Sequence, residues 1–496
     1  MKSTTQNPNR AQELLAAQVR SAVLWRSGSQ IVAQLVQWAA TFLVIRMLAP
    51  ADYGLFAMAQ VVLVFLNMLN GYGLASGVIQ QPDVTPRMVR QLFGMLILLN
   101  VGLAAMQLLL APFAAAYYRQ PVVAEMLRVQ ALLYLTTPFI ALPYALLGRR
   151  MDFRCQARAN IVASIASASA ALGGATAGLG VWTLVLAPLV LFAVRGGMMT
   201  WGARSLVWPS FDFRGAGTIA RYGSVMALGQ FFWFAQSQAD VFIAGRMFGP
   251  HMLGIYTTSL FLTQIFVSKF VPPLNEVAFS AYARIQHDDA ATARAFLRTT
   301  RAVMVAAFPF YLGLAATAQP LVTTVLGTKW LEMVPVVHVL ALAMPFMTLQ
   351  ILLQPACDAR GRPGIGVRNG ATGAAILTCG FLVGVHWGPV GLAVAWLIAY
   401  PLYFAISAWR SLPTIGVRAR QIADAIAMPL MASLVMALGV SAIDTGVLPT
   451  LAAPVHLVVL VTTGGAIYGV FLIAFARPVL RDLLAMIRKR PLAVAQ

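Results

Sequence analysis

Arg46-Met47-Leu48-Ala49-Pro50, then Gly54-Leu55-Phe56, returns further along the chain as Arg246-Met247-Phe248-Gly249-Pro250, then Gly254-Ile255-Tyr256. The offset is 200 residues at both ends of the motif (246 − 46 and 256 − 56). Each copy closes one long apolar stretch and opens the next, so the repeat marks the same hairpin in two halves of one membrane protein. A second anchor precedes each copy, Arg26-Ser27-Gly28-Ser29 matching Arg221-Tyr222-Gly223-Ser224 at an offset of 195 (221 − 26), which implies a gap of five residues (200 − 195) between the anchors; self-similarity of this kind is the mark of duplication. Duplicated membrane halves are an architecture of transporters, whose substrate path runs at the repeat interface.

Composition agrees. Hydrophobic residues make up 60% of the 496 and charged residues 10%, against about a quarter charged in soluble domains. The net charge of +20 does not indicate nucleic acid, because the basic residues are spread through short connectors and form no single face with base-reading partners. Cys155, Cys357 and Cys379 have neither paired nor metal-ligand spacing, which reads as reduced structural thiols. The first twenty residues lack the apolar core of a cleavable signal. Their Leu14, Leu15, Val19, Ala22 and Val23 sit at helical spacing, as in an interfacial helix leading into the first span.

A bilayer-spanning helix needs about 20 apolar residues. Fourteen stretches are expected, at 27–47, 54–80, 92–116, 128–147, 159–178, 181–201, 222–245, 253–273, 301–323, 335–356, 369–387, 390–409, 424–444 and 453–476. The fold class is thus all-α and polytopic, with two pseudo-symmetric six-helix lobes and a C-terminal helical pair. The expected divisions are an interfacial segment 1–26, a first lobe 27–214, a second lobe 215–410 and the final pair with a basic tail 411–496. Threading Lys and Arg through this topology places 29 of the 35 on one side, Arg195 counted among them, and 5 on the other, with Lys269 inside a span. Cytoplasmic connectors are enriched in such residues, so both termini are expected inside. Gly180-Val181-Trp182-Thr183-Leu184 and Gly388-Pro389-Val390-Gly391-Leu392 form a weaker second echo, offset by 208 (388 − 180). The stretch from Glu276 to Arg301 is the longest connector and reads as an amphipathic cytoplasmic helix.

Ionisable groups at membrane depth cost about 2.5 to 3.5 kcal/mol each, so each needs a reason. Asp240 in the seventh span and Lys269 in the eighth are the two. An ion pair of Asp240 with Arg246 or Lys269 and a functional role carry about even weight. In the functional reading Lys269 supplies charge for an anionic ligand, and Asp240 is its counter-ion or a cation or proton site. Gln30, Gln34 and Gln37 form one helical stripe, answered in the seventh span by Gln230, Gln236 and Gln238; such stripes face water or a neighbouring helix. Arg20 and Arg26 at the inner mouth of the first helix are candidates for drawing in a phosphate. Arg46 and Arg246 at helix ends suit headgroup anchoring above gating. There is no GxxxxGK[ST] phosphate loop, HExxH or paired carboxylate motif, so the reading assigns no ATP hydrolysis, metal, cofactor or enzymatic activity.

Several of these residues carry a family resemblance: Arg26-Ser27-Gly28-Ser29, Arg46 to Phe56, Asn70-Gly71-Tyr72-Gly73-Leu74-Ala75, Arg221-Tyr222-Gly223, Asp240 to Gly249, and Gly254-Ile255-Tyr256. The chain resembles the Wzx-type polysaccharide flippases, colanic-acid-exporter-like branch, of the multidrug/oligosaccharidyl-lipid/polysaccharide exporter superfamily. The resemblance implies two lobes in a V around a lumen. It also implies transport of an undecaprenyl-diphosphate-linked oligosaccharide from the inner to the outer leaflet of a bacterial inner membrane. Polymerase and chain-length proteins of the same pathway are candidate partners alongside membrane lipids. Related flippases carry a basic residue on the eighth helix, where Lys269 falls, and a basic first-helix entrance that Arg20 or Arg26 would match. A drug- or cation-extruding antiporter of the same superfamily is the alternative; a membrane polymerase would be expected to show a large outer loop, which this sequence lacks.

Overall fold

The computed structural model describes residues 8–68, 85–150, 152–212, 232, 234–446 and 452–475, with side chains from Gly28 onward. The side chains of Arg20 and Arg26, the Asn70–Ala75 motif, the Arg221–Ser224 anchor, Gln230 and the basic tail beyond 475 lie outside these residues. Among the described residues all regular structure is helical. The chain divides into two compact units, Met1–Phe234 and Ala235–Gln496.

In the first unit α1 (Pro8–Met47) is followed by α2 (Pro50–Asn67), α3 (Pro86–Tyr118), the segmented run α4 (Pro121–Gln130), α5 (Leu132–Thr136) and α6 (Pro138–Arg149), then α7 (Phe153–Thr176) and α8 (Val181–Ala203). Proline opens α2, α3, α4 and α6, where its missing N–H costs nothing because first-turn donors have no intrahelical acceptor. Thr85 and Asp152 accept from the backbone N–H groups of Met88 and Cys155 to cap α3 and α7. The α7–α8 turn uses Gly178 and Gly180 at φ of +74° and +55°, a region that disfavours any side chain with a Cβ. α1 packs along α7, and α7 along α8.

The second unit begins with α9, described over 234–247, then α10 (Pro250–Lys269), α11 (Val271–Arg284), α12 (Asp289–Ala316), α13 (Ala318–Val325), α14 (Val334–Ala359), α15 (Gly364–Gly384), α16 (Gly388–Ile415), α17 (Ala419–Gly446) and α18 (Ala453–Phe475). α14 packs against α16, α15 against α16, and the final pair rests on α12 and α13. Tyr468 of α18 donates to the Val305 carbonyl at 2.7 Å.

The duplicated hairpin is the same in both units. Residues Leu48-Ala49 link α1 to α2 and Phe248-Gly249 link α9 to α10, with a proline first in each following helix. Leu48 N–H donates to Val44 at 2.9 Å and Phe248 N–H to Ala244 at 2.7 Å. Ala49 (φ −86°, ψ 153°) and Gly249 (φ −71°, ψ 164°) share one extended conformation. The second echo is also geometric, since Gly180, just before α8, and Gly388, the first residue of α16, both have positive φ.

Among the described residues eleven helical segments are long and apolar enough to cross a membrane, and the longest, Gly364–Ile415, holds the two helices α15 and α16. The protein is therefore an integral membrane protein, although the eleven do not establish the expected fourteen. α9 and α10 fall outside the eleven, the first because only part of it is described and the second because its serines, threonines and glutamine dilute a 20-residue helix. The expected helix from Glu276 to Arg301 is instead two helix ends. α11 stops at Arg284 and α12 starts at Asp289, where Asp288 accepts from Ala291 N–H at 2.9 Å.

Connectors expected on one side of the membrane meet at one end of the second unit. Asp289 pairs with Arg360, Arg410 donates to the Arg368 carbonyl and to Thr372, and Gly416 lies against Asp289. Those expected on the other side also meet, with His251 2.9 Å from Glu332 and Gly388 against Met252. In the first unit Arg87 pairs with Asp212, Arg90 donates to the Trp208 carbonyl, and Arg150 to that of Ala203.

Candidate functional site

A cavity of about 310 Å³ lies within the first unit among α1, α6, α7 and α8. The expected stripe of α1 faces it: Gln30, Gln34 and Gln37, spaced one helical turn apart, all contribute to the wall. Opposite them α7 presents Gln156, Asn160 and Ser164, α6 presents Tyr144, and α8 presents Arg195. Gln156 is tied to the Tyr144 carbonyl at 3.3 Å.

Arg195 corrects the sequence reading. It was counted with the inner connectors, yet it lies inside α8, eight residues before the helix ends at Ala203, or about 12 Å at 1.5 Å per residue. The apolar run around it extends further than the charge count allowed, and Gly196-Gly197 gives no breaker that would have ended the helix there. Among the described residues the Nε of Arg195 is buried with no hydrogen-bond partner, and those that line the cavity include no carboxylate. The signal was present in the expected span itself, since 181–201 encloses Arg195.

The second unit carries the buried acid. Asp240 of α9 is fully buried. One of its oxygens accepts from the Tyr256 hydroxyl of α10 at 2.7 Å and the other from the Val241 N–H at 2.7 Å. Trp396 of α16 donates its indole N–H to the same Tyr256 oxygen at 2.8 Å and stacks on Tyr400 with centroids 4.9 Å apart. Gln236, one turn earlier on α9, donates to the Gly370 carbonyl of α15 at 2.9 Å. Tyr403 accepts from Gln350 at 2.8 Å. Gly373 leaves the room that Tyr403 and Gln236 occupy, since a Cβ there would lie 2.5 Å from the Tyr403 ring and 2.9 Å from the Gln236 oxygen. Gln238 is half-buried on the same helix.

The ion pair open to Asp240 in the sequence is not formed among the described residues. Lys269 is the exposed last residue of α10, thirteen residues and about 20 Å along the helix from Tyr256. It ends there because Pro272 and Pro273 supply no N–H to continue the ladder, and its charge complements the helix C-terminus. Arg46 and Arg246 are both exposed at the ends of α1 and α9.

Among the described residues, then, this helical membrane protein holds a polar cavity in its first unit and a buried acid network in its second. The chain belongs to the family described as "Polysaccharide biosynthesis protein", whose model matches residues 43–335. It is 24% identical over 418 residues to the teichuronic acid biosynthesis protein TuaB of Bacillus subtilis, covering 80% of this chain and 85% of that one. It is 24% identical to the succinoglycan biosynthesis transport protein ExoT of Rhizobium meliloti, covering 90% of each chain. It is 20% identical to the lipopolysaccharide biosynthesis protein WzxC of Escherichia coli, covering 78% and 80%. Among solved structures, the lipid II flippase MurJ in an inward closed conformation superposes with a TM-score of 0.74 at 11% identity, over 92% of this chain and all of that one. An inward-facing multidrug transporter of the MATE family, of the MOP superfamily, matches with a TM-score of 0.57 at 14% identity, over 78% and 96%. The fold is thus the one these two solved structures share.

Proposed function

We propose that this protein is a flippase. It carries an undecaprenyl-diphosphate-linked oligosaccharide from the inner to the outer leaflet of the bacterial inner membrane, with both termini in the cytoplasm, for surface polysaccharide or lipopolysaccharide synthesis. The observation that carries this reading is the cavity of the first unit. Five amide side chains and one guanidinium replace water for a hydroxyl-rich headgroup, inside helices whose other faces are apolar. Names of relatives from polysaccharide pathways support the same substrate class. Polymerase and chain-length proteins are the proposed partners downstream.

No enzymatic step or cofactor enters this mechanism. A diphosphate moving outward along an inside-negative potential gains about 2.3 kcal/mol per charge per 100 mV, so alternating access needs no ATP. Lys269, Arg20 and Arg26 are the proposed headgroup cations, Gln30, Gln34, Gln37, Gln236 and Gln238 the sugar contacts, and Arg46 and Arg246 the gate or anchor positions. Asp240 is the proposed cation or proton site that resets the cycle.

The test is deletion of the gene, followed by assay of lipid-linked oligosaccharide on each membrane face. Accumulation on the cytoplasmic face, relieved by the wild-type gene, is the expected result. Unchanged distribution together with raised susceptibility to cationic drugs would instead establish the antiporter alternative, for which the buried Asp240 is the favouring observation.

A further inference from the structure

We infer that the cavity of the first unit is a subsite for a carboxylated sugar, with Arg195 holding the carboxylate. The inference rests on the flippase reading and adds what that reading leaves open, the chemistry of the sugars carried.

Charge decides it first. A guanidinium this far inside a membrane helix is costly without a counter-charge, and the described residues of the wall around Arg195 offer none: they are amides, hydroxyls, an aromatic pair and small or aliphatic side chains. The counter-charge therefore arrives with the ligand. A diphosphate brings about two negative charges and would leave one uncompensated, whereas a single carboxylate matches one guanidinium, whose planar fork binds both oxygens at once.

The remaining wall suits a sugar. Among the described residues the side chains of Gln30, Gln34, Gln37 and Asn160 make no hydrogen bond, so these amides line the cavity with both donors and acceptors available. Sugar hydroxyls need both. Tyr144 and Phe153 supply apolar surface for the C–H face of a ring. The volume, about 310 Å³, falls at the small end of ligand cavities, roughly 300 to 1,000 Å³, which admits part of a repeat unit and leaves the lipid outside.

The test uses the full-length protein in nanodiscs of neutral lipid, with calorimetry of three probes: an oligosaccharide ending in glucuronic acid, its carboxyl-reduced counterpart ending in glucose, and inorganic pyrophosphate. The acidic oligosaccharide is expected to bind at least about tenfold more tightly than the reduced one. Arg195→Gln is expected to abolish that preference, Arg195→Lys to keep part of it, and Asn160→Ala to weaken both sugars alike while the preference stays. Equal binding of acidic and neutral sugars by the wild type overturns the proposal, as does a preference that survives in Arg195→Gln. Displacement of the acidic sugar by pyrophosphate overturns it too, by placing the diphosphate there. Should Arg195→Gln fail to fold, the wild-type comparison and Arg195→Lys still decide. Flipping is read separately in proteoliposomes. Binding without flipping sinks the flippase reading and leaves the subsite, whereas equal flipping of acidic and neutral repeats without selective binding does the reverse.

Discussion

Asp240 shows how a membrane helix tolerates a buried acid without a cation. Leaving a buried carboxylate bare costs several kcal/mol; here a tyrosine hydroxyl and a backbone N–H each occupy one oxygen. Tyr256 is held in turn by the Trp396 indole, so the acid is positioned by three helices. Asparagine keeps an acceptor for Tyr256 but loses the charge. Asp240→Asn is therefore expected to leave membrane levels unchanged and to abolish complementation of a deletion strain, and normal complementation would remove Asp240 from the transport cycle. Tyr256→Phe deprives both Asp240 and Trp396 of their shared partner, at a cost of about 1 to 3 kcal/mol. It should lower the melting temperature of the purified protein, and an unchanged value would mean that the network contributes nothing to stability.

At the scale of elements, small residues set how closely helices approach. Gly384 closes α15 and Gly391 lies in the first turn of α16, and each lies against the other's backbone: a Cβ on Gly384 would sit 2.6 Å from the Gly391 carbonyl oxygen. Backbone cannot swing aside as a long side chain can. Gly384→Ala should therefore wedge the hairpin and destabilise by about 1 to 3 kcal/mol, read as a lower melting temperature. Gly28→Ala serves as the control, since that position has open space around it. The duplicated hairpin was legible because its short link, its proline and its glycines are local features. Arg195 was legible only as a position inside the expected span 181–201; that its side chain meets residues of α1, α6 and α7 was not, because packing decides which helices become neighbours.

For the whole molecule, the segregation of basic connectors to one end of each unit has a direct consequence. Single cysteines replacing Arg149 and Arg418, in a chain without its native cysteines, should both be labelled from the cytoplasmic face alone. Labelling from opposite faces would overturn the topology. Transport driven by potential predicts a second behaviour: collapsing an inside-negative potential in proteoliposomes should slow outward movement of the lipid-linked diphosphate severalfold. A rate indifferent to potential would require a chemical gradient, with Asp240 as the place to seek it.

Hydropathy, charge alternation and the 200-residue repeat were enough to establish a helical, duplicated membrane protein with its connectors sorted by charge, since these depend on local composition and on the bilayer as solvent. They were also enough to put Gln30, Gln34 and Gln37 on one face, because that follows from 3.6 residues per turn. What that face meets is a matter of which helices pack together. Tertiary structure alone brought Gln156, Asn160 and Arg195 opposite the stripe. It also gave Asp240 a tyrosine in place of a lysine, because residues far apart in sequence become neighbours only once helices are packed side by side.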